Sequence, residues 1–451
     1  MGNLPDINWN LLEEEAVEHL RALVRIDTTN PPGNEIAACR YIKGVFDKEG
    51  IESRILESAP GRGNIVARLK GNGSKAPLLL DGHLDVVTAD PSHWEHPPFS
   101  ADVADGYVWG RGTLDMKNMV AMELTIFIEA ARRGRKSSRD LIFAAVADEE
   151  AGCNLGSRFL QEKHPELIEA EYALGEFGGF TLTQRGRRFW PIGVAEKGIV
   201  WMTITAEGTP GHGSMPNPDN AAIKIARAAA AIGRAKLPMH VTDVVKTFVE
   251  TLASAQPKPV GKILKQVTNP LISNIILDKL LPDKNVARSL YASLHNTANV
   301  TMLFAGEKIN VVPGVASMRV DGRIIPGQTA DDLVAEIRRV VGEGYKIVVD
   351  QTMPGLITDL NDPVYAAITK LIGRHDPEGV PVPYLVPGFT DAKYFSKTRA
   401  KCFGFSPVLL KPEDNFAQLI HGHNERIPVE GFKKGLRILA ELVFDLMDSG
   451  K

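Results

Sequence analysis

Five separated places in the chain end an apolar run with a side chain that can bind a metal ion. In order, these residues are His83, Asp115, the pair Glu149 and Glu150, Glu176, and His421. Imidazole and carboxylate ligands together accept zinc, manganese or cobalt. In two-metal hydrolases the ions lie roughly 3.5–4 Å apart, and a shared carboxylate can hold them there. The pattern therefore predicts a hydrolase with two divalent metal ions.

His83 lies just after the first apolar run, residues 76–80, which is typical of a buried strand. In α/β sheets ligands bind beyond the carboxyl ends of strands, where the loops gather side chains from several strands. Asp85 can accept the second N–H of the imidazole, which fixes the tautomer and makes the ligating nitrogen more basic. Because a lone histidine is more often structural, the His-x-Asp spacing favours a metal ligand only modestly.

Asp115 follows a glycine-rich turn, residues 110–112, and stands just before a helix predicted from Met119 to Arg133. An aspartate at that place often caps the helix. The alternative is a carboxylate that bridges two cations. Taken alone the residue would be read as a cap, and the other sites favour the bridge.

Glu149 and Glu150 come, with Asp148, directly after a second buried-strand pattern at residues 141–147. Three carboxylates at one strand end are costly unless cations neutralise them or one takes up a proton. Because adjacent side chains project differently, we assign Glu150 to a metal ion and Glu149 to the role of general base. A solvated acidic turn is the less favoured alternative.

Glu176 and two C-terminal histidines complete the candidate set. Glu176 follows a short apolar run and precedes Gly178 and Gly179, which would let the backbone approach the site closely. His421 and His423 lie in one cluster, and the pattern alone does not choose between them.

Together these motifs resemble the co-catalytic di-zinc amidohydrolases and peptidases, a family that includes acetylornithine deacetylase, succinyl-diaminopimelate desuccinylase, aminoacylase and glutamate carboxypeptidase. Each motif is weak, but the ordered set is highly specific and spans nearly the whole chain. The matching segments are DTTNPPG at 27–33, His83-x-Asp85, GRGTLDMK at 110–117, Glu149-Glu150, GHGS at 211–214, DGR at 321–323, and His421-x-x-Asn424-Glu425.

The resemblance implies a role for each candidate ligand. Asp115 would bridge the ions, with His83 and Glu176 on one ion and Glu150 and His421 on the other. His421 is preferred over His423 because the family's ligand lies three residues before an Asn-Glu or Asp-Glu pair. Glu149 would be the base that takes a proton from a water shared by the metals, and Asp85 would be catalytic through its support of His83. Zinc is the expected metal, with cobalt or manganese possible.

The resemblance also implies substrate-binding residues. His212 resembles the histidine that reaches the scissile carbonyl oxygen, in many relatives from the partner subunit, which implies a homodimer. Arg323 and Asn299 resemble residues that bind the substrate carboxylate and backbone. Gly388 lies in a similar substrate loop.

Strand and helix patterns alternate up to about residue 195, as in a helix-flanked, largely parallel α/β sheet. We expect residues 1–196 and 353–451 to form the catalytic domain. The resemblance implies that residues 197–352 form an inserted ferredoxin-like α+β lid or dimerisation domain. The stretch 240–296 is longer than a simple lid needs and has apolar residues at helical spacing. We favour extra lid core or a dimer interface there over a wall for an apolar substrate group.

The composition of the chain limits the partners and the cellular compartment that we expect. The chain has 451 residues, 44% of them hydrophobic, and a formal net charge of −3, so we expect neither nucleic acid nor a membrane as a partner. Three cysteines, Cys39, Cys153 and Cys402, form no Cys-x-x-Cys motif. Because the sequence has neither an apolar run of about 18 residues nor a leader-like start, we expect a cytoplasmic protein.

The leading functional prediction is hydrolysis of an amide bond next to a free carboxylate, in an N-acyl amino acid or a short peptide with an apolar group. Arg323 motivates the carboxylate. A dipeptidase or carboxypeptidase of the same family is the close alternative. From other classes, a two-metal phosphoesterase is disfavoured because no glycine-rich phosphate loop is present, and a non-catalytic binding protein is disfavoured by the intact Glu149.

Overall fold

A computed structural model describes residues 7–134, 137–281 and 284–448 as alternating strands and helices. The strands are β1 (Ser53–Ala59), β2 (Arg62–Leu69), β3 (Leu78–His83), β4 (Val103–Ala104), β5 (Tyr107–Trp109), β6 (Leu141–Val146), β7 (Tyr172–Gly175), β8 (Leu182–Gln184), β9 (Arg187–Glu196), β10 (Gly198–Glu207), β11 (Gly211–His212), β12 (Thr297–Ala305), β13 (Val311–Val312), β14 (Val315–Ile324), β15 (Tyr345–Met353), β16 (Leu356–Ile357), β17 (Val380–Val386), β18 (Lys401–Gly404) and β19 (Arg426–Pro428).

The helices alternate with these strands over most of the chain. They are α1 (Trp9–Val24), α2 (Glu35–Lys48), α3 (Lys117–Arg132), α4 (Ser157–Lys163), α5 (Pro165–Ile168), α6 (Ala221–Arg234), α7 (Asp243–Ser254), α8 (Lys258–Lys265), α9 (Ser273–Ile275), α10 (Lys284–Leu294), α11 (Ala330–Val341), α12 (Pro363–His375), α13 (Ala392–Phe395), α14 (Phe416–Leu419) and α15 (Val429–Asp448). Over the described part of the chain, no helix combines the length and the apolar content needed to cross a bilayer.

The largest sheet has a parallel centre. Its strands follow the order β1-β2-β6-β3-β7-β18-β9-β16, and β8 and β17 pair with β9. Strands β6, β3, β7 and β18 run parallel to one another, whereas β2 and β9 run antiparallel to their neighbours in that group. The predicted class, a mixed α/β fold with a largely parallel central sheet, is confirmed.

Helices cover both faces of this sheet because its central strands are apolar on both sides, as parallel strands usually are. On one face Phe143 of β6 contacts Phe46 of α2 and Phe127 of α3. On the other face, Leu79 of β3 and Ile142 of β6 pack against helices α4, α5 and α13. The central strands β3 and β6 are buried along their whole length as a result.

Three metal-binding candidates lie at the carboxyl ends of adjacent parallel strands. His83 is the last residue of β3, the turn with Glu149 follows β6, and Glu176 follows β7. Parallel strands end at the same edge of a sheet, so the order β6-β3-β7 alone brings these side chains to one place.

The chain divides into two units, residues Met1–Val194 with Thr358–Tyr384 and Thr390–Lys451, and residues Ala195–Ile357 with Leu385–Phe389. The second unit contains an antiparallel sheet of order β12-β14-β10-β15. Helices α6 and α11 pack against it around Met202, Ile225 and Ile337. This order of strand, helix, strand, strand, helix, strand is that of a ferredoxin-like sandwich. Its roles as lid and dimerisation domain remain predictions.

The stretch 240–296 forms helices α7, α8, α9 and α10 with a π-helical turn at Ile276–Leu280. Val244 and Val249 of α7 are buried, but Leu271, Ile275 and Leu280 are exposed. The insertion therefore buries part of its apolar surface and also presents apolar side chains outward.

We predict that Gly435→Ala destabilises the protein, because α15 lies directly against the chain at Pro407. A Cβ at Gly435 would lie 1.7 Å from the carbonyl oxygen of Pro407, and overpacking of this kind costs about 1–3 kcal/mol. A Cβ at the exposed helical Gly373 would meet no described atom within 4 Å. Gly373→Ala should instead raise the free energy of unfolding by about 0.5–1 kcal/mol. Urea unfolding of both variants measures the difference, and equal stabilities would contradict the packing.

Candidate metal centre

Asp115 lies between two histidines and presents one carboxylate oxygen to each. Its Oδ1 is 3.1 Å from Nε2 of His83, and its Oδ2 is 3.1 Å from Nε2 of His421. A carboxylate in this position can bind one cation with each oxygen. The structure thus places Asp115 between the two histidines of the predicted set, and its role as a bridge between ions stays a prediction.

The alternative role for Asp115, as a helix cap, is wrong. Helix α3 begins at Lys117, the residue at its cap position is Met116, and no side chain caps it. The peptide bond between Asp115 and Met116 is cis. The carboxylate is 5% exposed and faces the histidines instead of the helix end.

His83 is oriented through its other ring nitrogen. Nδ1 lies 2.9 Å from the backbone carbonyl oxygen of Asp85 and 3.6 Å from the Asp85 carboxylate. The nearer acceptor is thus the carbonyl, whereas the sequence suggested the carboxylate. In either case Nδ1 donates to Asp85, which leaves Nε2 as the nitrogen available to a metal ion.

The Asp85 carboxylate holds the turn that carries the paired glutamates. It accepts hydrogen bonds from the backbone N–H groups of Glu149 and Glu150, each at 3.1 Å, and from the Asn30 amide at 2.8 Å. Sequence reasoning gave Asn30 no role, although the DTTNPPG segment contains it. Asp85 thereby fixes His83 through its carbonyl group and the glutamate turn through its side chain.

Asp148 turns away from the cluster, so only two of the three consecutive carboxylates enter it. Its φ of +70° lies in the left-handed region, and its carboxylate pairs with Arg62 at 3.0 Å and accepts from the backbone N–H of Leu155 at 3.0 Å. No pattern around Arg62 indicated this role. Glu149 remains buried, and Glu150 lies 3.1 Å from Nε2 of His421.

Glu176 completes the buried side of the cluster. Its Oε2 lies 3.4 Å from Nε2 of His83. Its Oε1 is buried and has no hydrogen-bond partner among the described residues. A buried carboxylate oxygen without a donor is costly, and a bound cation would remove that cost.

The structure separates the two C-terminal histidines. His421 contacts Asp115 and Glu150, each at 3.1 Å. The ring of His423 instead stacks on His93, with 4.8 Å between ring centroids. The geometry thus brings His421 to the cluster, as the resemblance implied.

The charges of the cluster are strongly coupled. Burial and the charge of Glu176 raise the pKa of Glu149 well above its usual value, and burial raises the pKa of Glu176 to about 8. Hydrogen bonds to Asp115 and Glu150 raise the pKa of His421 to about 10. Burial would raise the pKa of Asp115, but hydrogen bonds from His421 and His83 hold it well below its usual value. Protons thus occupy positions that cations could take.

These residues fit a pair of divalent cations. Ligand atoms of His83, Glu149 and Glu176 lie within 4.8 Å of one another, as do those of His83, Asp115 and Glu150. The mixture of imidazole and carboxylate donors suits zinc, cobalt or manganese. Glu149 is close enough to bind an ion itself. Its predicted role as a base requires that the ions bind the other side chains and leave the Glu149 carboxylate free.

The predicted substrate-binding residues belong to the other unit. Asn299 of β12 pairs with Asp321 of β14, and Arg323 is two residues further along the same strand, so these side chains share one face of the sheet. The Arg323 guanidinium pairs with Asp321 at 2.8 Å and lies over the ring of Phe389, the neighbour of Gly388.

His212 is exposed on a separate ribbon formed by β11 and β13. Its Nδ1 is hydrogen bonded with the Ser214 hydroxyl at 2.8 Å. The structure thus brings Arg323 and the Gly388 loop together and places His212 elsewhere in the same unit.

A parallel sheet whose strands end in a cluster of histidines and carboxylates can hold metal ions of the kind that hydrolases use. The sequence profile of peptidase family M20/M25/M40 matches residues 79–445. The chain therefore belongs to that family, whose members include aminoacylases, desuccinylases and carboxypeptidases, and it is a hydrolase.

Individual relatives are similar over nearly the full length. The chain is 29% identical to N-fatty-acyl-amino acid synthase/hydrolase PM20D1 of Xenopus tropicalis, over 95% of this chain and 85% of the relative. It is 28% identical to aminoacylase-1 of Sus scrofa, over 96% and 95%. Its fold is similar to the M20 family metallo-carboxypeptidase Sso-CP2 from Sulfolobus solfataricus, with a TM-score of 0.68, 18% identity, and coverage of 95% of this chain and 98% of that one.

We expect His421→Ala to lose one bound zinc ion and His423→Ala to keep both. Of the two C-terminal histidines, His421 contacts Asp115 and Glu150, whereas His423 stacks on His93. Zinc content after dialysis, measured by plasma mass spectrometry on both variants, tests the assignment. Zinc loss in His423→Ala alone would reverse it.

Zinc affinity is expected to increase with pH. His421, with a pKa near 10, and Glu176, with a pKa near 8, both hold protons at neutral pH, and a metal ion must displace them. For each proton that zinc displaces, a rise of one pH unit lowers the apparent Kd for zinc by up to roughly tenfold. This effect ends once the pH exceeds the pKa of the group that carries the proton. Calorimetric titrations at about pH 6 and pH 8 in buffers of different ionisation enthalpy measure both effects. An affinity that does not change with pH would contradict the coupling.

Proposed function

We propose that the protein hydrolyses the amide bond of an N-acyl amino acid or a short peptide, next to a free carboxylate, in a substrate with an apolar group. The observation that carries this proposal is the position of Asp115, one oxygen toward His83 and the other toward His421, with the buried Glu149 nearby. Such an arrangement supports a two-ion centre with a base next to it.

The cofactors that we propose are two divalent metal ions, zinc first and cobalt or manganese as alternatives. When bound, such ions polarise a carbonyl group and make water more acidic. His83 and Glu176 would hold one ion, Glu150 and His421 the other, and Asp115 both. The donor types and the unpartnered Oε1 of Glu176 support this assignment.

Glu149 is the residue that we propose takes and returns the proton. Its Oε2 lies 4.0 Å from Nε2 of His83, and burial favours its neutral form. A carboxyl group whose pKa is raised can hold a proton after accepting it and then deliver it to the leaving amine. Asp85 keeps this turn in place through the backbone N–H of Glu149.

Arg323 supports recognition of a carboxylate. Its Nη1 is buried and meets no acceptor among the described residues, although its other nitrogens bind Asp321. A guanidinium group with a spare donor can bind a substrate carboxylate. Asn299 shares the same face of the sheet and would contact the substrate backbone, and the loop at Gly388 would lie beside it. His212 would donate to the scissile carbonyl oxygen.

Aromatic side chains next to the cluster support an apolar substrate group. Phe177 follows Glu176 directly, and Phe180 and Phe416 stack with 3.6 Å between ring centroids. These rings and Val408 line a pocket that also contacts Asp115 and Glu176. The name of the Xenopus relative refers to N-fatty-acyl amino acids, which combine an apolar chain with a carboxylate. The aromatic side chains beside the cluster would offer apolar contacts to such a chain.

A dipeptidase or carboxypeptidase activity is the second candidate, because the Sulfolobus structure of similar fold is a metallo-carboxypeptidase. Turnover of a generic aryl phosphate would instead favour a phosphoesterase. Ligand binding without turnover would favour a binding protein.

We also propose a homodimer in the cytoplasm, with a small-molecule substrate and neither nucleic acid nor a membrane as partner. The edge strand β12 supports the dimer, because Met302, Leu303 and Phe304 are exposed along it and an open edge can pair with another chain. The buried thiols of Cys39 and Cys153 form no disulfide, which suits a reducing compartment.

We predict that Glu149→Gln lowers kcat by about 10²- to 10⁴-fold, because it removes general base help, while zinc content stays unchanged. The matched control is Glu123→Gln, a fully buried carboxyl group outside the cluster that, among the described residues, accepts from the backbone N–H of Asp81. Its turnover should be close to that of the wild type. The assay is mass-spectrometric hydrolysis of N-acyl amino acids with short and long acyl chains, dipeptides, and an aryl phosphate by metal-loaded protein. Metal-loaded wild type that cleaves none of the amides would contradict the proposal.

A further inference from the structure

Glu425 is fully buried, lies outside the set of proposed ligands, and accepts hydrogen bonds from four donors. Its Oε2 accepts from Nη1 of Arg111 at 2.6 Å and from the backbone N–H of Gly112 at 3.1 Å. Its Oε1 accepts from the backbone N–H groups of Leu114 at 2.7 Å and Asp115 at 3.3 Å. One carboxylate thus binds nearly the whole loop that ends at Asp115.

Arg111 connects the same carboxylate to the loop of the second histidine. Its Nη2 donates to the backbone carbonyl of Gly422 at 2.8 Å, one residue after His421. The backbone carbonyl of Glu425 also accepts from the N–H of Gly110 at 2.9 Å. The pair of Arg111 and Glu425, called here the loop clamp, therefore contacts the loops of Asp115 and His421. These are two of the three segments that contribute ligand atoms to the proposed second ion, and the turn that carries Glu150 is the third.

The backbone of the second loop needs such support. His421 and Asn424 have φ values of +57° and +59°, and non-glycine residues persist in that region only where their surroundings fix them. Asn424 is fixed by its own contacts with Glu95. For His421, the nearest such support is the hydrogen bond that Arg111 donates to the backbone carbonyl of Gly422, the next residue. The clamp therefore acts next to a ligand residue whose backbone has a positive φ.

We propose that Glu425, together with Arg111, is a positioning residue of the metal centre, which keeps Asp115 and His421 in register so that Asp115 can serve both ions. The proposal rests on the proposed two-ion function. It also accounts for two sequence motifs that the ligands alone leave unexplained, Gly-Arg-Gly at 110–112 and the glutamate four residues after His421.

Glutamine is a poor substitute at this position, for a geometric reason. All four groups around the carboxylate are donors, so either orientation of a glutamine amide places its NH₂ group against two of them. Glu425→Gln keeps the shape of the side chain and removes the clamp. His83 is held by Asp85, and Glu176 follows β7, so the other side of the centre keeps its support.

The test is a stepwise zinc titration of metal-free protein against a competing chelator, without any substrate. In Glu425→Gln we expect the affinity for one of the two ions to fall about 10- to 100-fold, the usual effect of losing a group that orients a metal ligand, and the other affinity to fall less. Cobalt-loaded protein should lose part of its visible absorption in the same variant. Equal loss at both ions, or no loss at either, would overturn the proposal.

The matched control is Asp376→Asn, which breaks another carboxylate–guanidinium pair of the same unit, one with a buried carboxylate and a partly exposed guanidinium group. Asp376 is 2% exposed and binds Arg188 at 2.6 Å and the indole N–H of Trp190 at 2.9 Å. The Asp376→Asn variant should have a lower free energy of unfolding than the wild type and the same affinities for both zinc ions. If Asp376→Asn weakens zinc binding as much as Glu425→Gln does, the clamp is merely a stabilising pair and the proposal fails.

A second variant covers the case in which Glu425→Gln does not fold. Arg111→Lys keeps a cation beside Glu425 but lacks the planar fork that reaches Gly422 at the same time, so it should weaken the same ion and preserve the fold. Unchanged zinc affinities in folded Arg111→Lys would then overturn the proposal. Wild-type protein that binds two ions but cleaves no amide would contradict the proposed function and leave the clamp intact.

Discussion

The rest of the structure depends on the contact of Asp115 with two histidines. One carboxylate is shared by His83 from the end of a buried strand and His421 from a loop more than three hundred residues later. His83 and several carboxyl groups are buried there, where like charges repel and unpaired charges are costly. His421 lies at the exposed side of the cluster. Only cations or protons can make that arrangement stable, and this constraint explains the raised pKa values of Glu149 and Glu176.

The fold meets this constraint with rigid supports around the cluster. Parallel strands β6, β3 and β7 end side by side and deliver the glutamate turn, His83 and Glu176. Asp85 connects two of these strand ends through its carbonyl group and its carboxylate. Arg62 draws Asp148 away, which lowers the negative charge at the centre. His83 and the turn with Glu149 and Glu150 are thus held by contacts that do not depend on a metal ion.

The sequence predicted the architecture and the cluster because both depend on local patterns. Apolar runs that end in metal-binding side chains indicate parallel strands, and the strand order does the rest. The local pattern at Asp115 alone indicated a helix cap, because an aspartate just before a helix often caps it, and the other sites were needed to favour the bridge. It also missed Asn30 and Arg62, whose partners lie far away in sequence, and long-range hydrogen bonds leave no periodic signal.

The most direct test of the shared carboxylate is anomalous diffraction from crystals of the zinc-loaded protein. We predict two zinc peaks about 3.5–4 Å apart, one near each oxygen of Asp115, with His83 on one side and His421 on the other. A single peak, or two ions of which only one contacts Asp115, would contradict the account.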